Sequence, residues 1–504
     1  MIISHDLGTG GNKASLLDRE GMRIVSVFDA YDTYYPAPGF HEQRPADWWN
    51  AIVRSTHRLL EEAGKRVGIN PNQILCIGVS GHSLGCVPLD ADKNPLRATV
   101  PIWSDARADA EAAAFFERFD EKEWYCRTGN GFPPRHYPLF KILWLQRHEP
   151  DLFQKLAKVI GTKDYINDRL TGVLVTDHSY ASGSGAYNLT ENAYDGELIN
   201  ASGLPDSLLP EIVASTKVLG PLKREAAEEL GLSQKTLVVA GGVDNSCMAL
   251  GAGCCLPGRL YASLGSSSWI AVSDSDPLLN VDKKSYVFAH VVPGQFVSAY
   301  GIFSSGTTFR WLRDQLCRDL IDREKQEGTD PYELMIEEAK TSPPGANGLL
   351  HNPSLAGGNT LDLRPEIRGA FLGLDLRHTR ADIIRSVMEG IALSLRIVLD
   401  AFRDMKEVQN RMPVVGGGAR SDFWRQIYAD ILRIAIETTN IGQEAASLGA
   451  ASLAAVGTGL WNDFSTVDRL LNIEDSRQPN RRNAEHYDRL LTSFKKDRLY
   501  LATR

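Results

Sequence analysis

The sequence lacks the features of membrane, secreted and nucleic-acid-binding proteins. No hydrophobic run reaches the roughly 18 residues of a transmembrane helix, and the N-terminal stretch MIISHDLGTG has no basic or long apolar segment typical of a signal peptide. No run of five basic residues occurs, and the formal net charge is −8. We therefore expect neither nucleic acid nor an anionic membrane as a partner.

Cysteine is scarce, with seven residues among 504, and no two of them have the Cys-x-x-Cys spacing. An odd number of scattered thiols predicts neither a zinc site nor a disulfide framework, and it favours a reduced, cytoplasmic enzyme. The chain is longer than one hydrophobic core can fill, so at least two domains are expected.

The two common nucleotide-binding loops are also missing. No segment has the GxxxxGK[ST] spacing of a P-loop, and the glycine-rich stretch HDLGTGGNKASLLD (5–18) has neither the GxGxxG spacing nor a following helix. What is present is a strand, a tight glycine turn and a second strand. A third strand follows at 23–27.

The same strand–turn–strand plan returns in LYASLGSSSWIAVSD (260–274), and the continuous apolar run at 74–81 is typical of a strand buried on both faces. The segment 236–253 again has the pattern of a buried strand, followed by a turn and a helix of small residues. Helical patterns occur at 48–60, 106–124 and 138–158, and again at 306–323, 331–340, 379–405, 421–433 and 444–457. The repeat predicts two related α/β domains.

Backbone N–H groups of a glycine turn can form a concave anion site, to which the hydroxyl of Thr9 and those of Ser266–Ser268 would add donors. A plain hairpin turn is the alternative for either stretch.

Several ordered segments resemble the FGGY carbohydrate kinases over nearly the whole chain. GAFLGLDLRHTRADIIRSVME (369–389) is similar to the family's C-terminal signature, and PLFKILWLQRH (138–148) to its N-terminal signature, with His136 departing at the first position. GGGARSDFWRQIYADIL (416–432) and EAASLGAASLAAVGTGLW (444–461) resemble the adenosine-site region and the helix after it.

The resemblance implies an α/β fold of two actin-like (ribonuclease H-like) domains, each a mixed sheet flanked by helices, with a cleft between them. Residues 1–245 would form the N-terminal domain, which binds the sugar and carries the first phosphate loop. Residues 246–504 would form the C-terminal, ATP-binding domain.

By the same resemblance, Asp244 in GGVDNSC is the catalytic base that accepts the proton of the substrate hydroxyl. The alternative role for Asp244 is to cap the helix that follows it. Asp6, together with Asp244, is expected to hold Mg²⁺, whereas a turn-capping role is the alternative for Asp6. Lys13 either neutralises phosphate charge or is an ordinary exposed strand lysine.

Sugar contacts are expected from the first domain. The candidate residues are His82, Ser83, Trp103, Asp105, Arg107, Asp244 and Asn245. Xylulose-type kinases carry Ser-Gly-Gln-Met-His-Gly where this chain has SGHSLG (80–85), so the choice of D-xylulose is open. A structural histidine is the alternative for His82, and a local ion pair is the alternative for Asp105 and Arg107.

The resemblance places the nucleotide on glycine turns of both domains. The candidate residues are Gly8, Thr9, Gly10, Lys13, Gly265, Ser266, Gly306, Gly417, Gly418 and Asp422. A charged Gly-Glu-Arg-Thr-Pro stretch of the family is replaced here by residues 356–361, AGGNTL.

The sequence therefore predicts an ATP- and Mg²⁺-dependent kinase that phosphorylates a terminal hydroxyl of a ketopentose or related polyol. Ribulose, erythritol, glycerol and gluconate are alternative substrates. An actin-like ATPase and a catalytically weak sugar sensor are alternatives of another class. The resemblance also allows a homodimer.

Overall fold

The computed structural model describes residues 1–362, 364 and 366–503. Strands and helices alternate along the chain. The strands are β1 (Ile2–Gly8), β2 (Gly11–Leu17), β3 (Arg23–Ala30), β4 (Glu42–Gln43), β5 (Cys76–Gly81), β6 (Val87–Leu89), β7 (Val100–Pro101), β8 (Lys158–Ile160), β9 (Val175–Asp177), β10 (Tyr187–Asn188), β11 (Ala193–Tyr194), β12 (Glu211–Val213), β13 (Val218–Pro221), β14 (Leu237–Val239), β15 (Gly242–Val243), β16 (Leu260–Leu264), β17 (Ser268–Asp274), β18 (Tyr286–Ala289), β19 (Phe296–Ile302), β20 (Leu350–Asn352), β21 (Ala370–Leu372), β22 (Arg411–Val415), β23 (Ala435–Thr439) and β24 (Ile473–Arg477).

The α-helices are α1 (Pro45–Val67), α2 (Asp109–Phe116), α3 (Glu121–Thr128), α4 (Pro138–His148), α5 (Pro150–Phe153), α6 (Thr162–Thr171), α7 (His178–Ala181), α8 (Gly196–Ser202), α9 (Arg224–Leu230), α10 (Asp244–Gly251), α11 (Gly306–Leu316), α12 (Arg318–Glu327), α13 (Pro331–Ala339), α14 (Arg380–Arg403), α15 (Asp422–Leu432), α16 (Ala445–Gly457), α17 (Ser465–Leu470) and α18 (Arg481–Ala502). Short 3-10 helices lie at Pro71–Gln73, Pro134–His136, Asp206–Leu208, Ala346–Gly348, Gly417–Ala419 and Gly442–Glu444. Among the described residues, no helix combines the length and the apolar character needed to cross a membrane.

The elements confirm the predicted α/β class and both hairpins, whereas three of the predicted helices are wrong as single helices. The stretch 306–323 divides into α11 and α12, because Cys317 between them is not helical, with φ of −128° and ψ of 35°. The stretch 106–124 divides into α2 and α3, because the side chain of Asp120 accepts a hydrogen bond from the Glu123 amide and starts a new helix. The stretch 138–158 stops at His148, since Pro150 begins the short helix α5.

The first sheet is mixed and has the order β13-β14-β5-β1-β2-β3, with β15 also paired to β5. Strand β1 lies between a parallel neighbour, β5, and an antiparallel neighbour, β2. On the far side of β5, β14 is parallel to it and β13 is antiparallel to β14.

The second sheet repeats this plan in the order β24-β23-β22-β16-β17-β19, and β18 completes its seven strands. Here β16 takes the place of β1, with parallel β22 on one side and antiparallel β17 on the other. Strand β23 is again parallel to β22, and β24 is antiparallel to β23. The shared order confirms that the two hairpins found in the sequence belong to two similarly built sheets.

The chain forms two compact units that interleave along the sequence. The first comprises residues 1–257, 273–298 and 444–471, and the second comprises residues 258–272, 299–443 and 472–504. The predicted division between residues 245 and 246 falls inside α10, all of which lies in the first unit.

Within the first unit, α10 packs closely against α16, which returns from late in the sequence. A Cβ atom at Gly449 would lie 2.0 Å from the carbonyl oxygen of Cys247, and one at Gly251 would lie 1.8 Å from that of Ala445. Glycine at both positions is therefore required for this backbone contact.

Within the second unit, α14 is buried along most of its length. The Thr379 amide and hydroxyl both donate to Asp382 at the start of this helix, and Glu389 accepts from Arg385 and from the hydroxyl of Tyr487. The C-terminal signature segment therefore contains residues that cap and anchor the central helix of this unit.

Candidate active site

Two carboxylates lie at the carboxyl end of parallel strands in the first unit. Asp6 on β1 is opposite Ser80 on β5, and Ser80 is in turn opposite Gly242 on β15. Asp244 follows β15 directly as the first residue of α10. This edge of a parallel sheet is where α/β proteins generally bind ligands.

Asp244 is partly exposed, and its Oδ1 accepts a hydrogen bond from the Asn245 amide at 2.8 Å. Burial, followed by the charge of Asp6, raises the pKa of Asp244 to about 7, although hydrogen bonds from the Asn245 and Ser83 amides act in the opposite direction. A carboxylate with a near-neutral pKa is well suited to accept a proton. Its place at the start of α10 also agrees with the helix-cap alternative, and the two roles are compatible.

Asp6 is held by the hydroxyl of Ser80, which donates to its Oδ1 at 2.9 Å. Burial raises the pKa of Asp6, and the Ser80 hydrogen bond and the charge of Lys13 partly oppose this. Within the part of the chain that the structure describes, no group of three or more His, Cys, Asp or Glu side chains is arranged to hold a metal ion. Asp6 and Asp244 nevertheless offer the hard oxygen donors that a divalent cation such as Mg²⁺ prefers.

The glycine turn, residues 8–11, joins β1 to β2 beside Asp6. Its Thr9 hydroxyl accepts a hydrogen bond from the indole N–H of Trp103 at 2.9 Å, so two of the predicted binding segments meet. Lys13 lies farther along β2 and forms an ion pair with Glu444 at 3.9 Å.

The turn after β5 is buried. The His82 ring packs edge-on against Trp48 and lies within 3.3 Å of the Thr162 hydroxyl, and burial lowers the pKa of His82 to about 4. These contacts agree with the alternative that His82 has a structural role. Leu84 is also buried, in a left-handed conformation with φ of 56°.

Lys141 of α4 connects this turn to the Trp103 segment. Its ammonium group donates to the carbonyl oxygens of Leu84 at 3.0 Å and Ile102 at 2.7 Å. Burial lowers the pKa of Lys141 to about 8. The N-terminal signature lysine therefore holds together two segments that carry predicted sugar-binding residues.

Asp105 and Arg107 form the ion pair that was the alternative to a sugar-binding role. Arg107 donates to both carboxylate oxygens of Asp105 and to Glu42, and its guanidinium lies over the rings of Phe40 and Trp144. Trp103 differs because it is 37% exposed.

The second unit contains a cavity of about 750 Å³, a size typical of small-molecule sites. Six residues predicted to bind the nucleotide line it: Gly265, Ser266, Gly306, Gly417, Gly418 and Asp422. A Cβ atom at Gly306 would lie 2.6 Å from the Gly265 carbonyl oxygen, so glycine allows the start of α11 to approach this turn. Arg310 on the same helix also lines the cavity and is 3.3 Å from the Ser266 hydroxyl.

Comparison with known proteins agrees with this arrangement. Residues 1–251 match the N-terminal domain, and residues 260–458 the C-terminal domain, of the FGGY family of carbohydrate kinases. The chain belongs to this family.

Three individual proteins show how far the similarity extends. The chain is 29% identical to a xylulose kinase of Bacillus subtilis, and the match covers 98% of this chain and 96% of that protein. It is also 29% identical to a gluconokinase of Bacillus licheniformis, and that match covers 98% of this chain and 94% of the gluconokinase. The ligand-bound xylulose kinase of Lactobacillus acidophilus superposes with a TM-score of 0.90 at 26% identity, covering 99% of this chain and 98% of that one.

Sequence reasoning missed several residues that contact the predicted site residues, namely Tyr31, Gln43, Ser80, Thr162, Arg310 and Glu444. Ser80 was detectable in principle, because it is a polar residue near the end of an otherwise apolar strand. Arg310 was also detectable, because it lies one helical turn after Gly306 on α11. The others reach the site from distant positions along the chain, and no local spacing marks them.

Proposed function

We propose that this carbohydrate kinase transfers the terminal phosphoryl group of ATP to a terminal hydroxyl of a ketopentose or related polyol. The observation that carries the proposal is the placement of Asp244, at the start of α10, next to Asp6 at the carboxyl end of parallel strands, and the raised pKa of Asp244 agrees with it. Full-length similarity to xylulose kinases supports the choice of substrate class.

In this proposal, the substrate oxygen attacks the terminal phosphorus of ATP while the bond from that phosphorus to ADP breaks. Asp244 accepts the proton that the hydroxyl loses. Asp6 and Asp244 would hold Mg²⁺, which supplies positive charge against the phosphate oxygens. The charge of Asp6 contributes to the raised pKa of Asp244, so a divalent cation would relieve a repulsion already present in the site.

We assign the sugar to the first unit and the nucleoside part of ATP to the second, with the glycine turn of the first unit contributing to phosphate binding. Trp103 would cover the C–H face of the sugar, while Ser83 and Asn245 flank the Asp244 carboxylate through their amides. His82, Asp105 and Arg107 would act mainly by holding this surface in place, because His82 contacts the Thr162 hydroxyl and Arg107 is paired with Asp105 and Glu42. The cavity in the second unit would take the nucleoside, with Arg310 facing its phosphates.

A neutral sugar fits the first unit better than gluconate, although gluconokinases are also similar to this chain. A carboxylate ligand would need a cation, but the buried cations near the turn are already engaged. Arg107 pairs with Asp105 and Glu42, Lys163 pairs with Asp164 and Asp177, and Lys141 donates to two carbonyl groups.

An ADP-release screen tests the proposal with D-xylulose, D-ribulose, erythritol, glycerol and D-gluconate as acceptors. We expect D-xylulose or a related neutral polyol to stimulate ADP release, and we expect Asp244→Asn to lower kcat by about 10²–10⁴-fold. The exposed Asp206→Asn serves as the matched control and should leave turnover unchanged.

Near-normal turnover of Asp244→Asn would refute the assignment of the base. ADP release that no polyol stimulates would favour an actin-like ATPase, and tight polyol binding without phosphorylated product would favour a sugar sensor. The cytoplasmic location and the homodimer remain predictions.

A further inference from the structure

We propose that Tyr31 and Gln43 are positioning residues that orient the peptide groups of the glycine turn, so that its amides face a nucleotide phosphate. Neither residue belongs to a glycine motif or carries a charge. The inference deepens the proposed function and rests on it.

Three consecutive carbonyl groups of the turn are engaged from the protein side. The Tyr31 hydroxyl donates to the Gly8 oxygen at 2.5 Å, and the Tyr31 amide donates to the Gly10 oxygen at 3.4 Å. The Gln43 side-chain amide donates to the Thr9 oxygen at 2.7 Å. One tyrosine and one glutamine thus donate hydrogen bonds to all three carbonyl groups.

The orientation of Gln43 is itself determined by its other contacts. Its Oε1 accepts from the Trp48 indole at 2.9 Å, and its Nε2 also donates to the Thr33 hydroxyl at 2.8 Å. Gln43 is fully buried, so the side chain has no alternative water partner. The amino group is therefore directed at the turn.

Planarity of the peptide bond converts these carbonyl contacts into amide directions. In a trans peptide, the N–H of each residue points opposite to the carbonyl of the residue before it. Holding the carbonyls of Gly8, Thr9 and Gly10 therefore directs the amides of Thr9, Gly10 and Gly11 away from Tyr31 and Gln43.

Thr9 and Gly10 are exposed, and the described residues provide no acceptor for their amides. The turn therefore presents unused donors to solvent beside Asp6, which is the arrangement of an anion-binding nest. The Tyr31 hydroxyl remains a neutral donor, because burial and then the charges of Asp6 and Asp244 raise the pKa of Tyr31 well above its usual value.

The test compares Tyr31→Phe and Gln43→Met with Tyr35→Phe, a control in the same segment whose side chain is 68% exposed. Calorimetric titration with a non-hydrolysable ATP analogue and with adenosine gives the readout, alongside KM for ATP and for the sugar. Tyr31→Phe and Gln43→Met should each lower the affinity for the ATP analogue about 3- to 10-fold, which is the effect of losing one hydrogen bond. Each should raise KM for ATP by a similar factor. Adenosine affinity, KM for the sugar and the control variant should not change.

Equal losses of adenosine and analogue affinity would show a merely structural role and overturn the inference. Unchanged analogue affinity in both variants would also overturn it. Failure of the unaltered protein to bind the analogue would instead count against the proposed function, so the two failures are distinguishable.

Discussion

At the residue scale, the site depends on a carboxylate placed where its charge is unfavourable. Asp244 is partly exposed, yet burial of its carboxyl group and the nearby Asp6 raise its pKa to about 7. The folded state therefore binds its proton more tightly than the unfolded state does. The stability that the protonated form provides is complete below the ordinary pKa near 4 and is lost as the pH rises through 7.

Asp244→Asn should consequently make the metal-free protein more stable at pH 8 than the unaltered chain. The amide resembles the protonated carboxyl at every pH, so the gain should reach a few kcal/mol above pH 7 and shrink toward pH 4. Urea unfolding in chelator at pH 5 and pH 8 measures it. A gain of equal size at both values would contradict the raised pKa.

Lys141 offers a second prediction at this scale. Lys141→Met should leave the buried carbonyls of Leu84 and Ile102 without their donor, at a cost of about 1–3 kcal/mol each. KM for the sugar should rise while KM for ATP stays the same, because both segments carry predicted sugar contacts. Lys65→Met, which removes only exposed pairs with Glu61 and Glu62, is the control in the same assays. A rise in KM for ATP without a rise in KM for the sugar would argue against the role of Lys141 in holding the sugar-binding segments.

At the element scale, α10 is positioned by close backbone packing against α16. Gly251 and Gly449 sit at this crossing, where added methyl groups would meet carbonyl oxygens. The same helix α16 also packs on β1 and β5, which carry Asp6 and Ser80. The three elements that bear the acidic residues and Ser80 thus share one neighbour.

Gly449→Ala should therefore destabilise the protein by about 1–3 kcal/mol and lower kcat, because α10 must shift and Asp244 is its first residue. Gly64→Ala is the matched control, since a Cβ atom at this helical position meets nothing within 4 Å. That control should stabilise the protein by about 0.5–1 kcal/mol. Urea unfolding and ADP release measure both variants, and similar behaviour of the two would refute the packing argument.

The N-terminal signature illustrates how much of an element can be predicted. Its helix α4 follows from its apolar pattern and from Pro138 at the first position. The two carbonyl groups that Lys141 contacts lie 57 and 39 residues away along the chain. No periodicity within the helix reveals such partners.

At the scale of the whole molecule, the two units are proposed to bind different ligands. Hydrogen exchange followed by mass spectrometry should show that the sugar alone protects peptides covering 81–86 and 102–107. ADP alone should protect peptides covering 264–268, 305–310 and 417–424, because these segments line the cavity of the second unit. Protection by ADP confined to the first unit would contradict the assignment.

The two sheets were largely predictable, because each repeats a hairpin followed by a buried parallel strand whose residues are contiguous. The interleaving of the units was not predictable from the same signals. Residues 444–471 resemble the end of a second domain in the sequence, but they pack within the first unit. A contact of this kind depends on which small-residue surfaces fit together, as at Gly449 and Cys247.

The sequence by itself determined the family, the alternation of strands and helices, and the positions of the glycine turns and of Asp244, since these depend on short-range patterns. Only the tertiary structure decided that His82 is buried against Trp48, that Arg107 is paired, and that Asp6 helps raise the pKa of Asp244. It also decided that Tyr31 and Gln43 hold the glycine turn. The physical reason is that burial, charge and hydrogen-bond partners are set by residues that are close in space but distant along the chain.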